Sequence, residues 1–238
     1  MLSKSKIKQI QSLNVKKYRQ KYSQFTVEGD KSVKELLNSD LQVVELFATE
    51  KWEGNHPKAV LLDEKELKKI SNLNAPQNVI AWVQIPDYSL EMTKLKNKLT
   101  IVLDNIQDPG NLGTIIRIAD WYGIEHIICS PDSVDLYNPK VINATMGSFT
   151  RVKVFYADLA KVLKEAKLPV YGCVLEGDNI HQMGKVQEGI ILIGNEGKGI
   201  SSELLPLITK AVSIPSFGEA ESLNAAIATA VVVDNFRR

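Results

Sequence analysis

The 238-residue chain is poor in sulfur and imidazole, with two cysteines, four methionines and three histidines. Cys129 and Cys173 form neither a metal-ligand spacing nor a redox pair, which sets aside dithiol and thiolate-metal chemistry. The histidines are scattered, so no bound metal is expected. The longest apolar run, near Leu223–Val233, falls short of the roughly 20 residues that a membrane-spanning helix needs. The segment Met1-Leu2-Ser3-Lys4-Ser5-Lys6 lacks the apolar core of a secretory signal. A reduced, cytoplasmic setting is therefore the expectation, with no membrane partner. No internal repeat or low-complexity tract interrupts the chain. At 44% hydrophobic and 24% charged residues, the composition excludes a disordered or collagen-like protein. The length suits one large domain or two small ones.

An excess of one charge is also missing, but the net +1 conceals a division. Residues 1–98 carry 17 Lys and Arg against 12 Asp and Glu (+5), whereas residues 99–238 carry 12 against 16 (−4). Residues 1–21 contain seven basic side chains and no acidic one, among them Lys16, Lys17, Arg19 and Lys21, with Tyr18 and Tyr22 interleaved. Such an arm suits a polyanion, because cations displace counterions from phosphates and rings stack on bases. A solvated helix face is the alternative, since a charge run alone does not identify its partner.

Apolar spacing predicts helices over 4–20 and 30–39, strands at Val43–Ala48 and Ala59–Leu62, a helix at Asp63–Ser71 and a strand at Val79–Val83. The polar stretch 85–98, which contains Pro86, reads as a linker. The expected organisation is a small α/β domain at 1–84, the linker at 85–98 and a second domain at 99–238. From Leu99 onward, apolar strands alternate with helices. Strands are expected at Leu99–Leu103, Ile127–Cys129, Val152–Phe155, Val170–Leu175, Ile190–Ile193 and Ala211–Ile214. Helices are expected from about Asn111 to Trp121 and at Pro139–Met146, Asp158–Ala166, Ser201–Leu207 and Ser222–Asn235. This alternation implies an α/β fold whose mostly parallel sheet is covered by helices on both faces. Ligands of such sheets bind at the carboxyl ends of the strands, so the loops after Leu103, Ile193 and Ile214 are the informative ones.

The first loop runs from Asp104 through Gly110, Asn111 and Gly113 to Arg117, which falls in an otherwise apolar helix. A guanidinium there needs an anion or a cleft, or a structural salt bridge to Asp104 or Asp108. The second, Gly194-Asn195-Glu196-Gly197-Lys198-Gly199-Ile200-Ser201, has the layout of a phosphate loop but the wrong lysine spacing. Glu196 would repel a phosphate and better suits a ligand with hydroxyls or positive charge. A tight turn with Glu196 near a helix start is the plainer reading. In the third loop Pro215 and Gly218 bound a turn, Ser222 is a candidate N-cap, and a helix rich in small residues follows.

Together, in this order, the three loops resemble the SpoU/TrmH family of RNA ribose 2′-O-methyltransferases, within the SPOUT class of trefoil-knot methyltransferases. The family's Asn-x-Gly-x-x-x-Arg motif is matched by Asn111, Gly113 and Arg117. Its Gly-x-Glu-x-x-Gly-Ile/Leu-Ser motif is matched by Gly194, Glu196, Gly199, Ile200 and Ser201. Its Ile-Pro-x-x-Gly-x-x-x-Ser-Leu-Asn motif is matched by Ile214, Pro215, Gly218, Ser222, Leu223 and Asn224. Ala225-Ala226 stands where many members have Val-Ser. Asn143–Gly147 is similar to a further short family segment, and Phe25–Gly29 with the helix after it looks like the family's N-terminal substrate-binding domain.

The resemblance implies a deep trefoil knot in the second domain, S-adenosylmethionine as cofactor, and a homodimer. It implies cofactor contacts from Gly194, Asn195, Gly199, Ile214, Ser222 and Leu223. Arg117 would meet the ribose hydroxyl and a phosphate of the RNA, while Asn111, Glu196, Ser222 and Asn224 order the catalytic loops. The basic first domain, through Lys16, Lys17, Arg19 and Lys21, would grip RNA. Ribosomal RNA is the preferred substrate, with transfer RNA, base methylation, a non-catalytic RNA-binding protein and a nucleotide-binding enzyme as alternatives.

Overall fold

Short polar side chains set where most helices begin. Ser3, Asp63, Asp108, Asn138, Asp158 and Asn224 each accept a hydrogen bond from a backbone N–H in the first turn that follows. In the computed structural model, which describes residues 2–238, the first elements in chain order are α1 (Lys4–Ser12), α2 (Lys16–Tyr22), β1 (Gln24–Glu28), α3 (Asp30–Leu37), β2 (Val43–Ala48), β3 (Ala59–Leu61), α4 (Glu64–Ile70) and β4 (Val79–Gln84). They are followed by β5 (Leu99–Leu103), α5 (Pro109–Trp121), β6 (His126–Cys129), α6 (Pro139–Thr145), β7 (Lys153–Tyr156) and α7 (Leu159–Ala166). The chain ends with β8 (Val170–Asn179), β9 (Gly189–Ile193), β10 (Lys210–Ser213) and α8 (Ala225–Arg237).

Two compact units result. The first comprises residues 1–87 and 135–150, and the second residues 88–134 and 151–238. The segment 135–150 thus groups with the first unit, unlike the expected partition into 1–84, 85–98 and 99–238. Two interactions contribute to this. Arg19 reaches Asp135 through Nε and Nη2 at 2.8 and 2.6 Å, and the Phe25 ring packs on Tyr137 and Phe149 at 4.5 and 6.1 Å.

The first unit is a four-stranded sheet of order β1-β4-β2-β3, antiparallel except for the β2–β3 pair. Strand β1 was not among the expected strands. Ile10, Leu13, Phe47, Leu62, Leu67, Ile70, Ile80 and Trp82 form one of its buried clusters. The helix expected over 4–20 breaks into α1 and α2. The Leu13 carbonyl accepts Arg19 Nη1 at 2.7 Å, and Val15 is extended. Arg19 is only 3% exposed and its donors are taken by Asp135 and Leu13. The expectation that Arg19 grips RNA is therefore corrected: this guanidinium holds the unit together. Lys16, Lys17 and Lys21 are exposed on α2, with Lys21 Nζ lying 5.3 Å from the Tyr22 ring centroid.

The second unit is a six-stranded sheet of order β10-β8-β9-β5-β6-β7, parallel at every pairing. Its central strands β5 and β9 are buried at every residue, as a strand covered on both faces must be. Val102, Ile190 and Leu192 pack with Leu159, Val162, Leu163 and Ala166 of α7. Alternation turns Ile101, Leu103, Ile191 and Ile193 to the opposite face. There α8 sets Phe236 against Tyr171 at 5.0 Å, and α5 packs on α8 with Tyr122 Oη donating to Asp234 at 3.0 Å. The helix expected at Ser201–Leu207 is a single 3-10 turn at Leu205–Leu207, because Pro206 cannot continue an α-helix. Among the described residues, no helix is long and apolar enough to cross a membrane.

Burial of the Arg19 guanidinium makes Asp135 its essential partner. Asp135→Ala is expected to destabilise the chain by about 3 kcal/mol, the lower end of the cost of breaking a buried ion pair. Urea unfolding measures it. A loss under about 0.5 kcal/mol would mean that the pair is dispensable.

Candidate active site

From β5 the chain moves through α5 to β6 and β7 on one side of the sheet, then crosses to β8 and returns through β9 beside β5. The crevice at the carboxyl ends of β5 and β9 is therefore the topological switch point, where open parallel sheets bind ligands. The first two motif loops leave the sheet there, and the third starts from β10.

The second loop closes on itself. Asn195 N–H donates to Gly199 O at 3.0 Å and Gly199 N–H to Asn195 O at 2.8 Å. Asn195 Oδ1 accepts the N–H groups of Gly197 and Lys198, both at 3.0 Å. A side chain at Gly194 would lie 2.3 Å from the Gly199 carbonyl carbon, and Gly199 has φ +69°, so the turn requires glycine at both positions.

The closed loop is then pinned to β5. Asn195 Nδ2 donates to Asn105 O at 2.8 Å, and Asp104 N–H donates to Ile193 O at 2.9 Å. The Asp104 carboxylate is 7% exposed and accepts the Ser201 N–H at 2.7 Å. This clamp was missed in the sequence, where Asp104 figured only as a salt-bridge partner for Arg117. Its position directly after a fully buried strand, in a crevice loop, was the available signal.

Asn111 joins all three loops. It lies in the first turn of α5, capped by Asp108, whose Oδ1 accepts the Asn111 N–H at 2.8 Å. Its Nδ2 donates to Glu196 Oε1 at 2.5 Å, and its Oδ1 accepts Asn224 Nδ2 at 2.8 Å. Asn224 Oδ1 in turn accepts the N–H groups of Ala226 and Ile227 at 3.0 and 3.3 Å, which makes Asn224 the cap of α8. Ser222 was the expected cap. It stands two residues before Asn224, exposed and outside this network. Leu223 is exposed as well, and Ile214 half-buried.

Arg117 is exposed on α5 and makes no hydrogen bond or ion pair among the described residues. The alternative of a structural salt bridge to Asp104 or Asp108 is not realised, since those carboxylates hold Ser201 and Asn111. Its helix rises about 1.5 Å per residue, which separates Arg117 from Asn111 by roughly 9 Å along the axis. Burial pushes the Cys173 thiol up to about 12 and the Cys129 thiol still higher, so neither is a nucleophile at neutral pH. Among the described residues, no three His, Cys, Asp or Glu side chains gather as a metal site.

The crevice thus offers carboxylates, carboxamides and glycine-rich backbone. That donor set fits a ligand with hydroxyls and positive charge better than a phosphate. Residues 98–234 match the SpoU rRNA Methylase family model, and residues 4–81 match the MRM3-like substrate binding domain. The chain is 30% identical over 243 residues to the 23S rRNA (guanosine(2553)-2′-O)-methyltransferase RlmP of Bacillus subtilis, covering 98% of this chain and 96% of that protein. A putative RNA methyltransferase of the TrmH family from Porphyromonas gingivalis superposes with a TM-score of 0.89 at 36% identity, over 100% of this chain and 98% of that one. An AdoMet-bound rRNA methyltransferase from Sinorhizobium meliloti superposes with a TM-score of 0.87 at 28% identity, over 99% and 95%.

If Asp104 pins the second loop, Asp104→Ala should free the Ser201 amide. A hydrogen bond to a charged acceptor contributes about 1.5–3 kcal/mol, so exchange of that amide should quicken roughly tenfold to a hundredfold. Asp104→Asn retains an acceptor oxygen and should lie between. Unchanged exchange in Asp104→Ala would show that the clamp does not hold the loop.

Proposed function

The chain belongs to the SpoU rRNA methylase family, and on that premise we propose that it is an S-adenosylmethionine-dependent methyltransferase acting on a ribose 2′-hydroxyl of ribosomal RNA. The observation that carries this reading is the Asn111 carboxamide, which bonds Glu196 and Asn224 and so draws the three motif loops into one crevice. Ribosomal RNA is preferred because the relatives named for it match both units of this chain. The trefoil knot belongs to the same reading, as does a cytoplasmic location.

S-adenosylmethionine, when bound, supplies a methyl group on a cationic sulfonium with a good leaving group. The residues that would hold it are the backbone of Gly194, Asn195 and Gly199, together with Ile214, Ser222 and Leu223. Asn195 contributes main chain only, because its carboxamide is spent on the Gly197 and Lys198 N–H groups and on the Asn105 carbonyl. The difficulty of the reaction lies in the nucleophile, since a ribose hydroxyl is scarcely ionised at neutral pH. A guanidinium is a donor-only group and a poor general base, so the work of Arg117 is to orient the 2′-oxygen and to stabilise the negative charge that develops there. Its lack of any protein partner leaves it available for that contact and for an adjacent phosphate. Asn111, Glu196 and Asn224 keep the loops in register, and Ser222 lies on the loop that they anchor. Lys16, Lys17 and Lys21 grip the RNA backbone from the first unit. A non-catalytic RNA-binding role fits less well, because the polar residues of all three motifs are present.

A homodimer completes the reading. Two helices that pack on each other leave large apolar side chains in solvent, Trp121 of α5 at 85% exposure and Ile227 of α8 at 53%. A second copy of the chain is the occupant proposed for these side chains.

Labelled methyl transfer from S-adenosylmethionine into unmodified rRNA and tRNA, followed by alkaline digestion, tests the assignment. The expected product is an alkali-resistant dinucleotide from rRNA, made by a protein that sediments at twice the chain mass. Arg117→Ala should lower kcat about 10²–10³-fold, as loss of one charge-stabilising donor does, with cofactor affinity unchanged. Label in single nucleotides would establish base methylation instead, and full activity of Arg117→Ala would remove its role.

A further inference from the structure

Phe217 is 97% exposed, on the loop that joins β10 to α8. Leaving a phenyl ring in water forgoes the stabilisation that its burial would give. The loop itself is anchored. At its start Ser213 Oγ donates to Gly177 O at 2.9 Å, and at its end Asn224 Nδ2 donates to Asn111 Oδ1 at 2.8 Å, within the site. At its tip Ser216 Oγ donates to Gly218 O at 3.1 Å, spanning Phe217. The ring is thus presented from a braced turn whose far end touches the catalytic network.

The charge around Phe217 restricts what it can meet. Glu219 and Glu221 are exposed on the same loop, and residues 214–224 include no Lys or Arg. This face is a poor grip for bare phosphates. It is compatible with the uncharged face of a nucleobase, which stacks on an aromatic ring whatever its identity.

We infer that Phe217 is a specificity-determining residue that stacks on an unpaired base next to the target ribose, so that the substrate is an unpaired RNA segment and not a duplex. The inference rests on the RNA methyltransferase reading and narrows its substrate. Ribose chemistry alone does not impose that choice, because an A-form duplex displays its 2′-hydroxyls in a wide, shallow minor groove. A stacking platform does, since a paired base has both faces occupied by its neighbours.

The test compares the wild-type chain with Phe217→Ala, Phe217→Leu and Phe217→Trp. The RNA probes are a stem-loop carrying the mapped rRNA target in its loop and the same strand annealed to its complement. Wild type should methylate the stem-loop and largely spare the duplex. Phe217→Ala and Phe217→Leu should raise KM for the stem-loop about 5- to 100-fold, the range of one lost base stack. Activity on the duplex, S-adenosylmethionine affinity and sedimentation should not change, and Phe217→Trp should restore KM. An unchanged KM in Phe217→Ala, or a Leu variant that behaves as wild type, would overturn the stacking role. A weakened cofactor affinity would place Phe217 over the cofactor, and an altered mass would place it in the dimer contact. Either result would overturn the inference. Failure of the wild type on every RNA would instead reject the methyltransferase reading, and this one with it.

Discussion

One carboxamide holds the catalytic unit in working order. Asn111 must donate to Glu196 and accept from Asn224 in the same rotamer, and only a side chain with both a donor and an acceptor end can do so. The consequences run outward. Glu196 is fixed at the turn of the second loop, Asn224 is fixed where α8 begins, and Asn111 itself is placed by the Asp108 cap on α5. Three segments far apart in the chain therefore share one set of atomic positions. Without that bridge, each loop would be free to sample alternatives at the open end of the sheet.

The bridge works because the sheet beneath it is rigid. Strands β5 and β9 are buried throughout and pair in continuous parallel register from Leu99–Gly189 to Leu103–Ile193. The Asp104 carboxylate carries that register one step beyond the strands by holding the Ser201 N–H, and Asn195 repeats the tie through Asn105. Side-chain precision in the crevice is thus inherited from hydrophobic burial a few ångströms below. Arg117 and Phe217 are both exposed. In the proposals above, one offers charge to a phosphate and a ribose oxygen, and the other a neutral face to a base. The division of charge fits the same proposal, in which the exposed lysines of α2 supply the general electrostatic grip.

Much of this could be read from the residues, since buried parallel strands are continuous apolar runs and Gly-rich turns after them are hard to mistake. Asn111, Glu196 and Asn224 were also legible, as motif positions. What lay beyond reach was pairing in three dimensions. Arg19 belonged by sequence to a run of exposed lysines, and only its meeting with Asp135, 116 residues away, takes it inside. A second bond of that guanidinium, to the Leu13 carbonyl, lies where the helix that the spacing of Ile7, Ile10 and Leu13 carries on to residue 20 divides in two. Ser222 and Asn224 are equally good caps in isolation, and the Asn111 contact decides between them. Asp104 was overlooked because a carboxylate's acceptor role toward a backbone N–H 97 residues on leaves no local pattern.

The most direct measurement is a double-mutant cycle on S-adenosylmethionine affinity, using Asn111→Ala, Asn224→Ala and the double variant in titration calorimetry. If the bridge binds the loops into a single cofactor site, the two losses should be strongly non-additive, with a coupling energy of about 1 kcal/mol or more. Additive losses, with coupling near zero, would mean that the loops hold the cofactor independently and that the carboxamide bridge is incidental to it.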